Sequence, residues 1–406
     1  MGTAFVRFKN ILFNLLSFGV VLSIFLFVKL LVPKTRKRRE IRKVAWFGAY
    51  GNGNLGDDLI FYSLKRLLKS NKFEISLSIR DFEKAKNYGV KLFVKGEQFY
   101  DYWKYLSKIR TSDAVFLGGG GLFEYYYPSK QSFRMIMIYL CPLMIARIFN
   151  KPSFVLGVGV NSDRIDNPII RYVYRSVLSE CNQILTRDSK SKRGLEVNGV
   201  ETNIQDVYDP VLSLNFPKQI SESREKKKIG LLLWPYFLWP HFYDNSETIS
   251  EEKKKKHDDF VRRIKILIAE LESDYEIKFL TFHFSDTLIY KELGVEFEPK
   301  ADLLSFIKNV SNLDLLVSMR YHGQISAFLS ETPVISISVQ QKMDALMENY
   351  EMEEHNHNIE RFDESQVLEQ IGEVLKKETH YVDRIRVKNR FVQHTIQEAY
   401  TSIKFE

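Results

Sequence analysis

The chain has few cysteines and no internal repeat. Cys141 and Cys181 are the two cysteines among 406 residues, so a disulfide framework is excluded and a reducing compartment is indicated. No self-similarity at a period of about 20–50 residues is visible, which excludes a solenoid or propeller. At this length one hydrophobic core is not enough, and two domains are expected.

A basic face for nucleic acid is also lacking. The net charge is +8, but residues 1–43 hold ten Lys or Arg against one acid, which is +9 and leaves 8 − 9 = −1 for the rest. The body is nearly neutral, so no nucleic-acid partner is expected.

An apolar run near the amino end predicts a membrane helix. After a tail over residues 1–10, residues 11–32 contain one charge, Lys29, and about 20 such residues span a bilayer. The basic linker at 33–43 places the remaining chain on the cytoplasmic side. A monotopic helix is the alternative. A cleaved signal peptide fits poorly, because no small-x-small site precedes Pro33.

Strand and helix patterns alternate in two successive blocks. Residues 44–215 predict a first Rossmann-like domain, and a Lys/Glu/Ser-rich linker separates it from a second at 228–350. Residues 351–406 read as C-terminal helices. The fold class is therefore α/β, with two doubly wound Rossmann-like domains facing across a cleft, preceded by the membrane helix.

A candidate anion site follows the predicted strand at residues 313–317. Ser318-Met-Arg320-Tyr-His322 stands where this strand ends and a helix pattern begins. In open α/β sheets ligands bind at the carboxyl ends of strands, and helix amino ends favour anions. Arg320 and His322 are therefore candidate ligand-binding and catalytic residues.

The turn at residues 51–56 has the spacing Gly-x-Gly-x-x-Gly, which matches the dinucleotide fingerprint. However, Asp57 and Asp58 follow in the first helical turn, where their carboxylates would repel a pyrophosphate. Asp58 is also explained as a helix cap. The polar side chains of the turn instead predict contacts with a hydroxyl-rich acceptor, from Asn52, Asn54 and Asp57.

Two further strand ends carry candidate residues. The glycines Gly118–Gly121 precede Glu124 and Tyr125, which predict a carbohydrate platform, with packing in the domain core as the alternative. Arg187 follows a second strand, and with Arg320 across the cleft it would form a clamp for carboxylate or phosphate. No metal-ligand spacing accompanies these residues, so no metal site is expected.

Taken in order, these motifs resemble the polysaccharide pyruvyltransferase family over about residues 44–350. They are Asn52–Asp58, Gly118–Gly121, Leu185–Asp188, Asp209-Pro210, Ser318–His322 and Thr332–Ile335. The resemblance implies a GT-B-like fold, phosphoenolpyruvate as co-substrate and a sugar diol as acceptor, without a cofactor. It also implies that Arg187, Arg320 and His322 hold the donor. The chain departs from the family before Lys342, where Val339-Gln-Gln replaces an aromatic-rich loop; Lys342 is kept as a donor-binding candidate.

The resemblance and the residues predict one reaction and two alternatives. Histidine has an unperturbed pKa near neutrality, so His322 suits general acid–base work, while Arg320 suits phosphate and carboxylate. The expected activity is pyruvyl transfer to a saccharide or lipid-linked oligosaccharide at the membrane by an enzyme that can oligomerise. A membrane-associated GT-B glycosyltransferase using a nucleotide sugar is the first alternative, and a scaffold with a degenerate site is the second.

Overall fold

The chain folds into two compact units. Unit 1 comprises Met1–Val211 and Thr395–Glu406, and unit 2 comprises Leu212–His394. The computed structural model describes residues 18–34, 40–51, 54–69, 72–79, 89–94, 102–124, 130–216, 225–239, 249–299 and 303–405.

Unit 1 is built on a seven-stranded parallel sheet with the order β3-β2-β1-β4-β5-β6-β7. Its strands are β1 (Lys43–Phe47), β2 (Glu74–Ile79), β3 (Lys91–Val94), β4 (Ala114–Phe123), β5 (Ser153–Val160), β6 (Gln183–Thr186) and β7 (Ile204–Asp206). β5 is buried at every position, as expected for a parallel strand covered on both faces. The strand order reverses between β1 and β4, and this reversal is the switch point of the sheet.

Helices connect these strands. They are α2 (Leu55–Leu67), α3 (Tyr102–Thr111), α4 (Lys130–Ile148), α5 (Pro168–Leu178) and α6 (Ser189–Val197). Residues 18–31 form a further helix, α1. Phe18, Val21 and Phe25 of α1 are buried in the same hydrophobic cluster as residues of α4 and α5.

The predicted membrane helix over residues 11–32 is not supported. Among the described residues, no helix combines the length and the hydropathy that crossing a bilayer requires. The physical reason lies in α1, because Phe25 is 0% exposed and packs against protein. Residues 11–17 lie outside the described residues.

Unit 2 contains a five-stranded parallel sheet with the order β12-β11-β10-β8-β9. The strands are β8 (Lys228–Leu232), β9 (Glu276–Phe279), β10 (Leu315–Ser318), β11 (Val334–Ser338) and β12 (Asn356–Asn358). Their helices are α7 (Glu251–Asp274), α8 (Asp286–Leu293), α9 (Leu303–Ser311), α10 (Tyr321–Leu329), α11 (Gln341–Asn349), α12 (Glu364–Lys376) and α13 (Glu378–Thr401). The order reverses between β8 and β10, which makes this pair the switch point of unit 2.

The end of the chain belongs to unit 1. Residues 351–406 were predicted as C-terminal helices, and α12 and α13 occupy most of that range, but the division between units falls inside α13. Beyond α13, the Phe405 ring lies 5.5 Å from the Phe116 ring and 5.2 Å from the Phe154 ring, so it packs on β4 and β5.

Candidate functional site

Arg320 and Trp234 meet at the switch point of unit 2. Trp234 follows β8 and Arg320 follows β10, two strands that are hydrogen-bonded neighbours. The Arg320 guanidinium carbon lies 4.4 Å from the centroid of the Trp234 ring, within cation–π range. The sequence pattern predicted the place of Arg320 correctly, after a buried strand and before α10.

Asp286 and Ser285 fix the orientation of the Arg320 guanidinium. Its Nε donates to Asp286 Oδ1 at 3.0 Å, and its Nη2 donates to Ser285 Oγ at 2.8 Å and also to Asp286 Oδ1. Nη1 makes no hydrogen bond to any residue in the described part of the chain. The Arg320 side chain as a whole remains 17% exposed.

The Asp286 carboxylate is itself firmly held. It begins α8, is 0% exposed, and its Oδ2 accepts the backbone N–H groups of Phe282 and His283, each at 2.8 Å. A buried carboxylate requires such partners. One oxygen is thus satisfied by backbone, and the other is left for Arg320.

Tyr290 of α8 anchors the segment that carries Trp234. Its hydroxyl accepts the Leu233 N–H at 3.0 Å, and its single proton has two carbonyl acceptors within range, Leu280 at 2.6 Å and Leu231 at 2.9 Å. Burial raises the pKa of Tyr290 well above its usual value, so the hydroxyl keeps its proton. The ends of β8 and β9 are therefore tied together beside the guanidinium.

His322 lies in the first turn of α10. Its ring is parallel to that of Phe282, with centroids 6.0 Å apart, and edge-on to Tyr321 at 5.1 Å. Lys342, in the first turn of α11, places its Nζ 5.7 Å from the Tyr321 ring centroid. Three of the four predicted donor-binding residues thus gather at one edge of the unit 2 sheet: Arg320, His322 and Lys342.

Polar atoms without partners also occur at this edge. Trp234 Nε1 and both amide atoms of Gln324 are buried and have no hydrogen-bond partner among the described residues. Gln324 follows His322 by two positions on α10. Buried polar groups are normally hydrogen-bonded, so these three atoms are unsatisfied within the described part of the chain.

Gly323 lets α10 approach the end of β10. A Cβ at this position would lie 2.4 Å from Leu232 Cδ2 and 2.5 Å from Ser318 Oγ. We expect Gly323→Ala to lower the free energy of unfolding by about 1–3 kcal/mol through overpacking. Urea unfolding followed by circular dichroism measures this change.

Gly372 of α12 is the matched control, because a Cβ there would meet no heavy atom within 4 Å. Gly372→Ala should be neutral or stabilise by up to about 1 kcal/mol, since alanine is the better helix former. Equal unfolding midpoints for the two variants would contradict the role given to Gly323.

In unit 1, Asn54, Asp57 and Glu124 gather at the switch point between β1 and β4. Asn54 caps α2, its Oδ1 accepting the Gly56 N–H at 3.1 Å, and its Nδ2 donates to Asp57 Oδ2 at 2.9 Å. A Cβ on Gly120 would lie 2.8 Å from Asp57 Oδ1, and one on Gly121 would lie 2.6 Å from Glu124 Oε2. The glycines of β4 therefore leave room for both carboxylates. The other two predicted acceptor residues, Asn52 and Tyr125, lie outside the described residues.

Arg187 is buried among carboxylates at the same edge of unit 1. Its side chain is 1% exposed and its Nη2 pairs with Glu124, while Asp188 Oδ2 lies 3.6 Å from Nε and Asp209 Oδ2 lies 3.9 Å from Nη1. In this structure the Arg187 guanidinium thus forms an ion pair with Glu124. Arg187 belongs to unit 1 and Arg320 to unit 2, and the two-Arg clamp stays a prediction.

Two parallel α/β units, each with polar side chains at its switch point, define a GT-B-like protein, and solved structures support this class. MnaA from S. aureus, solved with UDP, is similar at a TM-score of 0.56 and 11% identity, over 89% of this chain and 95% of that one. UDP-GlcNAc 2-epimerase from Neisseria meningitidis, bound to UDP-GlcNAc, gives 0.53 and 10% over 89% and 98%. A mutant O-GlcNAc transferase from Thermobaculum terrenum gives 0.51 and 10% over 91% and 67%. At such identities the likeness shows the fold alone.

The family to which the chain belongs is shown by its sequence. The sequence model of the polysaccharide pyruvyl transferase family matches residues 54–341, and the chain therefore belongs to this family of transferases. The resemblance predicted from the ordered motifs is confirmed. The matched range includes Arg187, Arg320 and His322 and ends one residue before Lys342. No curated protein matches the sequence.

Proposed function

We propose that the protein transfers a pyruvyl group from phosphoenolpyruvate to two hydroxyls of one sugar, in a cell-surface polysaccharide or its lipid-linked precursor. The product is a cyclic ketal, and phosphate is released. One observation carries the proposal: within the range matched by the family, the oriented Arg320 guanidinium and the His322 imidazole lie where β10 ends and α10 begins, and the Lys342 ammonium, one residue beyond that range, lies beside Tyr321 of α10. This set suits a small, multiply charged anion.

The donor is proposed to bind at Arg320, with its negative charges shared between Arg320 and Lys342. The Asp286 carboxylate neutralises part of the Arg320 charge. The main contribution of this ion pair to donor binding is therefore to orient the guanidinium, and not to add positive charge. Nη1, which Asp286 and Ser285 leave unused, is the nitrogen we assign to the donor. The predicted contribution of Arg187 to the donor stays a prediction and requires that Glu124 share the guanidinium with it.

Two additions at C2 account for the reaction. A sugar hydroxyl adds to C2 of the enol while C3 takes up a proton, phosphate then leaves from C2, and a second hydroxyl closes the ring. The two acceptor hydroxyls lose one proton each. One of these protons is accounted for on C3, which becomes a methyl group, and the other on the released phosphate. We assign proton transfer to His322 and stabilisation of the leaving phosphate to Arg320. The reaction needs no cofactor.

The acceptor is proposed to bind in unit 1. Asn54, Asp57 and Glu124 offer carboxylate and amide oxygens, which accept hydrogen bonds from sugar hydroxyls. Because Arg187 pairs with Glu124, the carboxylate is oriented, and we assign it to bind a hydroxyl of the acceptor.

The test is a donor comparison with the purified full-length chain. Phosphoenolpyruvate and, in parallel, UDP-sugars are offered with oligosaccharide and lipid-linked oligosaccharide acceptors, while phosphate and UDP are measured and the acceptor is weighed by mass spectrometry. We expect phosphate release that depends on the acceptor and a ketal on the sugar. Release of UDP without phosphate would support the nucleotide-sugar glycosyltransferase instead, and no product with any donor would support a scaffold.

A further inference from the structure

One face of α1 is fixed to unit 1. Arg147 Nη2 of α4 donates to the Val32 carbonyl at 2.6 Å, and its Nε donates to Glu180 Oε2 at 2.8 Å. Lys29 Nζ donates to the Ser176 carbonyl on α5 at 3.2 Å. With Phe25 fully buried, these contacts hold α1 along α4 and α5.

The other face of α1 is apolar and exposed. We call it the α1 stripe, and its members are Val20 (53% exposed), Ile24 (45%), Phe27 (61%), Leu30 (81%) and Leu31 (64%). The positions 20, 24, 27 and 31 follow helical spacing, so they share one side. A surface helix normally carries polar residues there, and an exposed apolar face marks an interaction site. No described residue covers it.

The chain after α1 is strongly basic. Residues 32–43 hold seven Lys or Arg against one acid, and residues 1–17 hold two Lys or Arg. Lys34, three positions after the last residue of α1, has an exposed side chain and donates to the Glu180 carbonyl. Apolar side chains beside clustered cations suit the boundary between acyl chains and anionic headgroups. A second copy of the chain is less suited, since pairing two such segments would bring like charges together.

We propose that the α1 stripe seats the protein on the surface of an anionic bilayer, with α1 lying in the plane of the headgroups. The side chains Phe27, Leu30 and Leu31 enter the acyl boundary while Phe18, Val21 and Phe25 stay in the protein core. The helix does not cross the membrane in this arrangement. The proposal stands independently of the pyruvyl-transfer reaction.

Vesicle sedimentation tests the proposal. The full-length chain is mixed with vesicles of phosphatidylglycerol and phosphatidylcholine in equal parts, or of phosphatidylcholine alone. We expect binding to the first kind, weakened by high salt, and at least about tenfold weaker binding to the second, because the clustered cations are attracted to an anionic surface and not to a neutral one. Equal binding to both kinds, or to neither, would overturn the proposal.

A charged substitution in the stripe supplies the sharper comparison. The double variant Phe27→Glu with Leu30→Glu should lose about tenfold or more in affinity for the anionic vesicles, since two apolar side chains no longer leave water. The matched control is Val387→Glu with Phe391→Glu on α13 of unit 2, a second exposed apolar pair (68% and 58%). It should bind like wild type. Loss in both double variants, or in neither, would overturn the proposal.

Insertion and self-association are separated by two further measurements. A Trp at position 27 (Phe27→Trp) should be quenched by vesicles with brominated acyl chains beyond the quenching seen for wild type. Absence of extra quenching would overturn insertion. Sedimentation velocity without lipid should give the same mass for wild type and the Phe27→Glu, Leu30→Glu variant; a dimer that only the wild type forms would assign the stripe to a second copy instead.

Discussion

His322→Ala is expected to lower kcat for pyruvyl transfer by about 10²–10⁴-fold, the usual contribution of a general acid or base. The binding of phosphoenolpyruvate should survive, because Arg320 keeps all its contacts to Asp286 and Ser285 in this variant. The stacked Phe282 ring loses only one aromatic neighbour. Phosphate release measured over a range of donor concentrations separates kcat from KM, and calorimetry measures donor affinity directly.

Two comparisons make the His322 result specific. His380→Ala removes an exposed histidine of α13 in unit 2 and should retain wild-type rates. Arg320→Lys should mainly raise the KM for phosphoenolpyruvate, because an ammonium cannot reproduce the two donors to Asp286 or the stacking on Trp234. Wild-type phosphate release by His322→Ala would remove the catalytic role from this residue.

Asp286→Asn is expected to be the second severe substitution. It replaces an acceptor-only carboxylate by an amide whose NH₂ group must face either the Arg320 guanidinium or the backbone N–H groups of Phe282 and His283, all of which are donors. Breaking a largely buried pair in this way should cost about 3 kcal/mol of unfolding free energy. A guanidinium displaced by about 1 Å should lower kcat/KM for the donor by about 10²-fold.

The control for Asp286 is an exposed pair of similar geometry. Asp259 on α7 accepts from Arg262 at 2.5 Å and Arg263 at 2.9 Å, with about half of its side chain exposed (48%). Asp259→Asn should change stability by less than about 1 kcal/mol and leave activity unchanged. If Asp286→Asn raises neither the donor KM nor the sensitivity to urea relative to Asp259→Asn, Asp286 does not orient Arg320.

The sequence predicted the elements that place Arg320 and His322, because a buried strand, a polar turn and a helix pattern follow one another within 17 residues (Leu313–Leu329). It did not predict Trp234, Ser285 or Asp286. These residues reach Arg320 only through the strand order of the sheet, which a linear pattern does not contain. A signal existed for Asp286, since acidic residues favour the first turn of a helix and Asp286 begins α8.

Pairing over long separations limited the prediction in unit 1. The sequence placed Arg187 after a strand and Glu124 after the glycines of β4, and both positions agree with the structure. Neither motif indicates that Arg187 pairs with Glu124, which is 63 residues away in sequence. The prediction of a membrane helix from the apolar run before Pro33 is not supported for a related reason. Hydropathy measures how strongly a segment avoids water, but it does not tell whether the segment is buried in lipid or in a protein core.

The return of the chain terminus to the first unit makes that unit discontinuous in sequence. A fragment ending at Val211 lacks Tyr400, which is buried beside Gly157 of β5, and lacks Phe405, which covers β4 and β5. We therefore expect a fragment that ends between the units to be less stable than unit 1 in the whole chain. Ribosomal synthesis also imposes an order on assembly, because the first sheet keeps an uncovered apolar surface until residues 395–405 have been made.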